Sequence, residues 1–238
     1  MFGVHGELET QRRPAAVPEA RGRAGYPPIT VLHRLASQVS ARSRAQKFEL
    51  FLETMQPTAG TAVLDLGVTD VGAGQGEYSS DNFFESLYPW PERITGVGIT
   101  SLQRFSAAFP RVTAVTADGR DLPFLDDHFE IGFSNAVVEH VGRRADQERF
   151  IAELCRVSRR VYVTTPNRWF PIEVHTLLPV VHWLPRGPRD AVLSALGKPE
   201  AHELELLGPR DFLSLFPAAV PVRLVRRGMT LVAVGGRA

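Results

Sequence analysis

The sequence predicts a single α/β domain built on a doubly wound, mostly parallel sheet. Four short apolar segments end in small or polar residues, and stretches with helical spacing separate them. Such alternation indicates right-handed β-α-β units. Ligands of open α/β sheets bind beyond the carboxyl ends of the strands, so we expect the polar ends of the four segments to meet at one crevice. The segments are residues 63–67 (VLDLG), 116–124 (TADGRDLPF), 129–141 (FEIGFSNAVVEHV) and 161–167 (VYVTTPN).

Composition narrows the class of protein before any motif is considered. The chain has 238 residues, 44% of them apolar and 22% charged, which is ordinary for a globular domain with a full core. Its net charge of +1 gives no electrostatic reason to expect a nucleic-acid partner. No apolar run approaches the ~20 residues of a transmembrane helix. The first residues include acids and are not typical of a signal peptide.

The chain is expected to begin with a flexible tail followed by a long helix. Residues 1–27 contain three prolines and few large apolar side chains, so we predict a loose tail there and one domain over residues 28–238. Residues 29–55 have helical spacing, with Phe48, Phe51, Leu52 and Met55 on one face. This helix would either form a lid over the crevice or only cover an edge of the sheet.

Seven strands and five further helices follow from the hydrophobic pattern. An Asn82–Glu85 spacing similar to a capping box predicts the start of the first of these helices. The last two strands, joined through Gly228, predict a closing hairpin and therefore one antiparallel strand in the sheet. The predicted strands are residues 61–66, 94–99, 112–116, 130–134, 160–164, 222–225 and 230–234, and the predicted helices are 82–88, 102–109, 146–158, 189–196 and 209–216.

The single cysteine, Cys155, excludes an intramolecular disulfide. It lies among apolar positions of a predicted helix, so we expect a buried, unreactive thiol. A chain without disulfides is compatible with a reducing compartment, and we therefore expect a cytoplasmic protein.

In order and wording, the four segments resemble those of class I S-adenosylmethionine (SAM)-dependent methyltransferases of the type 11 kind. The resemblance extends over residues 31–234. It implies a Rossmann-like, seven-stranded sheet with one antiparallel strand, SAM as cofactor, and transfer of a methyl group to an acceptor. The acceptor we expect is a small molecule, such as a sugar or a lipid-linked intermediate.

The glycine-rich turn after the first strand can be aligned with the family in two registers. In one register Asp65 and Gly67 lie directly at the strand end. In the other register, residues 70–76 (DVGAGQG) match the family's glycine-rich sequence motif, which then includes Gly72 and Gly74. We favour the first register because it requires a strand of ordinary length. Gly72 and Gly74 would then lie in an enlarged loop near the methionine end of SAM.

The end of the second strand departs from the family pattern. The family places an acid there to bind the ribose, whereas residues 96–101 read GVGITS. We expect Thr100 to make a weaker hydrogen bond in its place. By resemblance, Asp118 accepts a hydrogen bond from the adenine amino group, and the backbone at Gly119 contacts the ring edge.

Two further segments supply candidates for cofactor contact and for catalysis. The small side chains of Ser134 and Asn135 leave room for a ligand at the end of the fourth strand. Methyl transfer to a hydroxyl or amine needs a base, and His175 has a suitable ordinary pKa of ~6.5. Glu173 would orient His175 or act as the base itself, and His140 would contact substrate or hold Glu139.

The stretch after the fifth strand, residues 164–175 (TTPNRWFPIEVH), mixes ionisable and aromatic residues as acceptor pockets do. Arg168 would bind an acidic acceptor group. The following segment, residues 175–185, is better suited to a pocket wall or a partner contact than to a membrane surface, because prolines interrupt it.

Two other classes of function remain as alternatives. A nicotinamide-dependent oxidoreductase would need an acid after the second strand, which the sequence lacks. A non-catalytic SAM-binding protein would account for the same missing acid. A metal site is disfavoured, because the spacing of His140, His175 and His182 matches no compact ligand motif.

Overall fold

The computed structural model describes residues 29–70, 82–172, 176, 178–197 and 204–237, with side chains from residue 42 onward. The predicted tail, residues 1–27, therefore lies outside the described residues.

Seven strands form one sheet in the order β3-β2-β1-β4-β5-β7-β6. Strands β1 to β5 pair in parallel, and β7 runs antiparallel to both of its neighbours. The predicted seven-stranded, mostly parallel sheet with one antiparallel strand is thereby confirmed. The strands are β1 (Val63–Leu66), β2 (Ile94–Gly98), β3 (Thr113–Thr116), β4 (Phe129–Asn135), β5 (Ser158–Pro166), β6 (Val222–Arg227) and β7 (Thr230–Gly236).

Six α-helices lie within the described residues: α1 (Ile29–Met55), α2 (Phe83–Leu87), α3 (Gln103–Ala108), α4 (Arg144–Val157), α5 (Arg186–Ala195) and α6 (Pro209–Leu213). Three short 3₁₀ turns accompany them, at Pro91–Arg93, Val138–His140 and Val181–Trp183. Each predicted helix is present, and most bounds shift by one to three residues.

The predicted capping box at α2 is wrong. Asn82 has left-handed backbone angles (φ 57°, ψ 34°) and its side chain makes no cap hydrogen bond to the helix. Instead its Nδ2 donates to the Thr69 carbonyl (2.9 Å) and its Oδ1 accepts from the Thr69 amide (3.1 Å). The amide side chain thus mimics a strand partner and ties the start of α2 to the chain that leaves β1.

A hydrophobic cluster covers each face of the sheet. On one face α4 and α6 pack through Phe150, Leu154 and Phe212, and Cys155 is buried there as expected. Burial raises the pKa of the Cys155 thiol to about 12, so the thiol is unreactive at neutral pH. The other face is covered by α1, α2 and α3.

Helix α1 is anchored by an aromatic cluster centred on Phe51. The Phe51 ring makes edge contacts with Phe84 (5.1 Å), Tyr162 (5.5 Å) and Phe133 (5.6 Å between ring centres). Tyr162 also donates a hydrogen bond from its hydroxyl to the Lys47 carbonyl (2.8 Å). Helix α1 therefore covers a face of the sheet, and it also brings Lys47 to the carboxyl end of β4.

Close packing under α4 generates a stability prediction at Gly132 in β4. A Cβ there would lie 2.5 Å from Ser158 Oγ and 2.6 Å from Leu154 Cδ1, both buried. We expect Gly132→Ala to lower the free energy of unfolding by about 1–3 kcal/mol through overpacking. Urea unfolding of the purified protein measures it.

The matched control is Gly187→Ala, because a Cβ at Gly187 in α5 meets nothing within 4 Å. Alanine there is expected to be neutral or slightly stabilising, since it favours the helix. Equal losses of stability in the two variants would contradict the packing argument.

Candidate active site

A cavity of about 470 Å³ lies at the carboxyl ends of β1 and β4. Strand order changes direction between these two strands, so the connections that leave them diverge and open a crevice. Its volume falls in the range of small-molecule sites. The residues around it are Asp65, Gly67, Val68, Thr69, Asn82, Phe83, Phe84, Phe133, Asn135, Ala136, Val137 and His140.

Gly67 makes the turn at the floor of the cavity. Its φ of +111° disfavours any side chain, and a Cβ would lie 2.2 Å from Val137 Cγ2. Its amide donates to the Val97 carbonyl of β2 at 2.8 Å. The register that places Asp65 and Gly67 at the strand end thus brings both residues to the cavity.

The alternative register begins at Asp70. Its Oδ1 accepts hydrogen bonds from the amides of Arg104 (2.7 Å) and Phe105 (3.1 Å) at the start of α3. This carboxylate therefore fixes α3 to the chain beyond β1. Gly72 and Gly74 lie outside the described residues.

Two buried carboxyl groups meet beside the cavity. Asp65 is 6% exposed and Glu85, on α2, is 4% exposed. Burial, reinforced by the neighbouring Glu85, raises the pKa of Asp65 well above its ordinary value, and burial also raises the pKa of Glu85. Among the described residues no N–H or O–H group donates to either Glu85 oxygen. Two carboxyl groups buried this close together repel each other when both are ionised, which favours a proton on one of them.

A second polar network surrounds Asn135 at the end of β4. Its Oδ1 accepts from Lys47 Nζ at 2.6 Å and from Thr164 Oγ1 of β5 at 2.8 Å. Lys47 Nζ also lies 5.6 Å from the centre of the Phe83 ring, within cation–π distance. Burial lowers the pKa of Lys47 to about 8, against the opposing effect of the Glu139 carboxylate.

Backbone strain and a buried acid follow Asn135. Ala136 has a φ of 55°, which is rare for a residue with a side chain and is typical of functional sites. Glu139 is fully buried and accepts a hydrogen bond from Thr165 Oγ1 at 2.9 Å. His140, predicted to be catalytic, is exposed and lines the cavity.

Asp118 and Gly119 follow β3 and are not among the residues that line the cavity. Arg120 chelates the Asp118 carboxylate, with Nη2 2.7 Å from Oδ2 and Nε 3.0 Å from Oδ1. These hydrogen bonds lower the pKa of Asp118 to about 2, so it is ionised at neutral pH. Gly119 has no room for a side chain, because a Cβ would lie 2.6 Å from the Phe150 ring.

The other predicted site residues have separate placements. Thr100 is exposed after β2, and its carbonyl accepts from Thr116 Oγ1 at 3.3 Å. Ser134 is fully buried and its Oγ donates to the Leu66 carbonyl at 2.8 Å, which ties β4 to β1. Glu173 and His175 lie outside the described residues.

The sequence prediction did not include Lys47 and Glu85 among the site residues. Lys47 is one of only two lysines in the chain, and it directly precedes Phe48 and the buried face of α1. Its position beside the buried face of α1 was the sequence feature that could have indicated a buried lysine. For Glu85, the sequence suggested only a role in capping α2, which the structure contradicts.

Exposed apolar side chains cluster in the segment after β5. Trp169 is 59% exposed and its ring centre lies 6.5 Å from that of Trp183. The Arg168 guanidinium lies 5.6 Å from the centre of the Trp169 ring. Ile172, Val180 and Leu184 are also at least 40% exposed in this segment.

In the part of the chain that the structure describes, no three His, Cys, Asp or Glu side chains are grouped as metal ligands would be. None of the described helices combines the length and the apolar character that crossing a membrane requires.

Part of the chain matches a known protein family. Residues 69–160 match the model of a methyltransferase domain family. A search of curated proteins found no relative with significant sequence similarity.

Several solved structures share the architecture at low sequence identity. A possible histamine N-methyltransferase from Thermotoga maritima is 15% identical with a TM-score of 0.55, covering 88% of this chain and 96% of its own. A protein from Pyrococcus horikoshii is 16% identical with a TM-score of 0.54, covering 83% and 91%. The N-methyltransferase NodS from Bradyrhizobium japonicum, solved with S-adenosylhomocysteine (SAH), is 13% identical with a TM-score of 0.51, covering 82% and 86%.

The family model matches less than half of the chain, and the solved structures show that the chain has the fold of SAM-dependent methyltransferases. Both findings support the resemblance to class I SAM-dependent methyltransferases seen in the sequence.

The Lys47 environment predicts an unusual titration. With only two lysines in the chain, ¹³C-lysine labelling yields two Cε signals, and Lys198→Arg assigns them. We expect the Lys47 signal to titrate with a midpoint near pH 8, because burial disfavours its charged form. A midpoint near the ordinary value of 10.5 would contradict the burial of this ammonium group.

The Asp65–Glu85 pair predicts a pH-dependent stability difference. A raised pKa means that the folded state binds more protons than the unfolded state above pH ~4, so this pair reduces stability as the pH rises. Glu85→Gln removes one titrating group, and its amide can donate a hydrogen bond to the Asp65 carboxylate. We expect the variant to gain about 1 kcal/mol or more over the wild type between pH 4 and pH 7.

Thermal or urea unfolding at both pH values measures this gain. The matched control is Glu92→Gln, an exposed acid paired with Arg111 on the surface. A Glu85→Gln variant whose stability follows the wild type at both pH values would show that the pair holds no extra proton.

Proposed function

We propose that the protein transfers the methyl group of SAM to a small-molecule acceptor. The observation that carries the proposal is the cavity at the ends of β1 and β4, with Gly67 at its floor and Asn135 on its wall. It lies where open α/β sheets bind ligands, in a chain of which residues 69–160 match a methyltransferase family model.

The residues around the cavity fit the chemistry of SAM. Its methionine end carries an ammonium group, and Asp65 and Glu85 form an acidic pair with no cationic partner among the described residues. Gly67 lets the backbone approach a ligand closely. We assign the methionine end to this cavity, the adenine to Asp118 and Gly119, and the ribose to Thr100.

SAM supplies an electrophilic methyl group on a sulfonium sulfur, so transfer is a single in-line displacement. The work of the protein is to position the acceptor and to take the proton from a hydroxyl or amine nucleophile. We propose His140, which is exposed on the cavity wall, as one candidate base. His175 and Glu173, which lie outside the described residues, are the other candidates.

The acceptor class is proposed as a sugar or a lipid-linked intermediate. The exposed side chains after β5 support an acceptor with an apolar part, because Trp169 and Trp183 offer uncovered rings. Arg168 would complement an acidic group of such a molecule. The cytoplasm remains the expected location.

Calorimetric titration with SAM, SAH and NAD tests the cofactor assignment. We expect saturable binding of SAM and SAH and none of NAD. Binding of NAD alone would instead support an oxidoreductase. Binding of SAM without formation of SAH in any acceptor screen would favour a non-catalytic SAM-binding protein.

Asp118→Ala tests the adenine assignment. Loss of a hydrogen bond to a charged acceptor is worth about 1.5–3 kcal/mol, so we expect SAH affinity to fall by about tenfold or more. Asp121→Ala, which removes an exposed acid three residues later, is the matched control. Unchanged affinity in Asp118→Ala would overturn the assignment.

A further inference from the structure

We propose that Lys47 is a positioning residue: it holds the Asn135 amide so that Nδ2 donates to the carboxylate at the amino-acid end of SAM. This inference rests on the proposed function and assigns a role to the N-terminal helix α1 within it.

The chemistry of the contacts determines which way the Asn135 amide is turned. A lysine ammonium has only donors, so the Asn135 atom 2.6 Å from Lys47 Nζ must be the oxygen. The Thr164 hydroxyl donates to the same oxygen at 2.8 Å. Both strong donors are therefore used on Oδ1, and the amide cannot flip without losing them.

The Asn135 Nδ2 group is consequently available to a ligand. Asn135 lines the cavity, and none of the described residues accepts a hydrogen bond from its Nδ2. An amide NH₂ held in one orientation recognises an oxygen acceptor, and a carboxylate is the strongest one that a neutral donor can bind. The nearby ammonium of Lys47 adds a favourable field for a negative charge.

Lys47 is itself held in place from several sides. The Phe83 ring lies 5.6 Å from Nζ, and the Glu139 carboxylate attracts the ammonium group while Arg44 opposes it. The Tyr162 hydroxyl donates to the Lys47 carbonyl at 2.8 Å and fixes the backbone of α1 at this residue. The amide is thus supported by a rigid helix rather than by a mobile surface chain.

The cavity has opposite electrostatic character on its two sides. Asp65 on β1 and Glu85 on α2 form an acidic pair, whereas Asn135 on β4 accepts a hydrogen bond from the Lys47 ammonium group. An α-amino acid group carries one ammonium and one carboxylate on the same carbon. Such a zwitterion matches both sides at once, with its ammonium toward Asp65 and its carboxylate toward Asn135.

The test compares two adenosine ligands, one with and one without the amino-acid group that the cavity is proposed to bind. SAH has the amino-acid group, and 5′-methylthioadenosine lacks it. Calorimetry gives the affinity of each for the wild type, Lys47→Met and Lys47→Arg. Arg42→Met, which removes an exposed cation from the same helix, is the matched control.

We expect Lys47→Met to weaken SAH binding by about tenfold or more and to change methylthioadenosine binding by less than about twofold. Lys47→Arg keeps a charged donor and should lose less, and Arg42→Met should bind like the wild type. Equal losses for both ligands, or no loss for SAH, would overturn the role of Lys47. A wild-type protein that binds neither ligand would instead show that the proposed function is wrong.

If Lys47→Met does not fold, a second measurement on the wild type tests whether Asn135 contacts the amino-acid end of the ligand. In the wild type, the side-chain amide signals of Asn135 in a ¹⁵N NMR spectrum should shift on addition of SAH and stay in place with methylthioadenosine. Asn135→Leu assigns these signals. A shift of the same size with both ligands would contradict contact with the amino-acid end.

Discussion

The candidate site depends on the close contact between the turn after β1 and the chain that leaves β4. Gly67 lies against Val137 with no space for a Cβ, and the Ser134 hydroxyl joins β4 to the Leu66 carbonyl. Strand order reverses between these strands, so their connections must separate immediately beyond this contact. The cavity is the space that this separation leaves, and its position therefore follows from the topology of the sheet.

Polar groups around that space are held at a cost to stability. The carboxyl groups of Asp65 and Glu85 are buried next to each other, and the Lys47 ammonium group is partly desolvated. Ala136 has a strained backbone. None of these arrangements strengthens a fold by itself. Natural proteins depart from local stability rules mainly at functional sites, so the concentration of such departures at one edge of the sheet supports its assignment as the active site.

Much of the fold could be predicted because local patterns determine it. Alternating apolar strands and helical spacing predicted the parallel sheet, and ordinary strand length predicted Gly67 at the first turn. The contacts that complete the site are not local: Lys47 and Asn135 are 88 residues apart, and no periodicity links them. The capping box at α2 failed for a related reason, because Asn82 bonds to Thr69 across the chain that leaves β1.

A crystal structure of the protein grown with SAH would show directly whether the cavity binds the cofactor. We expect the amino-acid end of SAH between Asp65 and Asn135, next to Gly67, with the adenine amino group at the Asp118 carboxylate. Density for SAH elsewhere on the protein, or with its amino-acid end outside this cavity, would show that the assigned site is wrong.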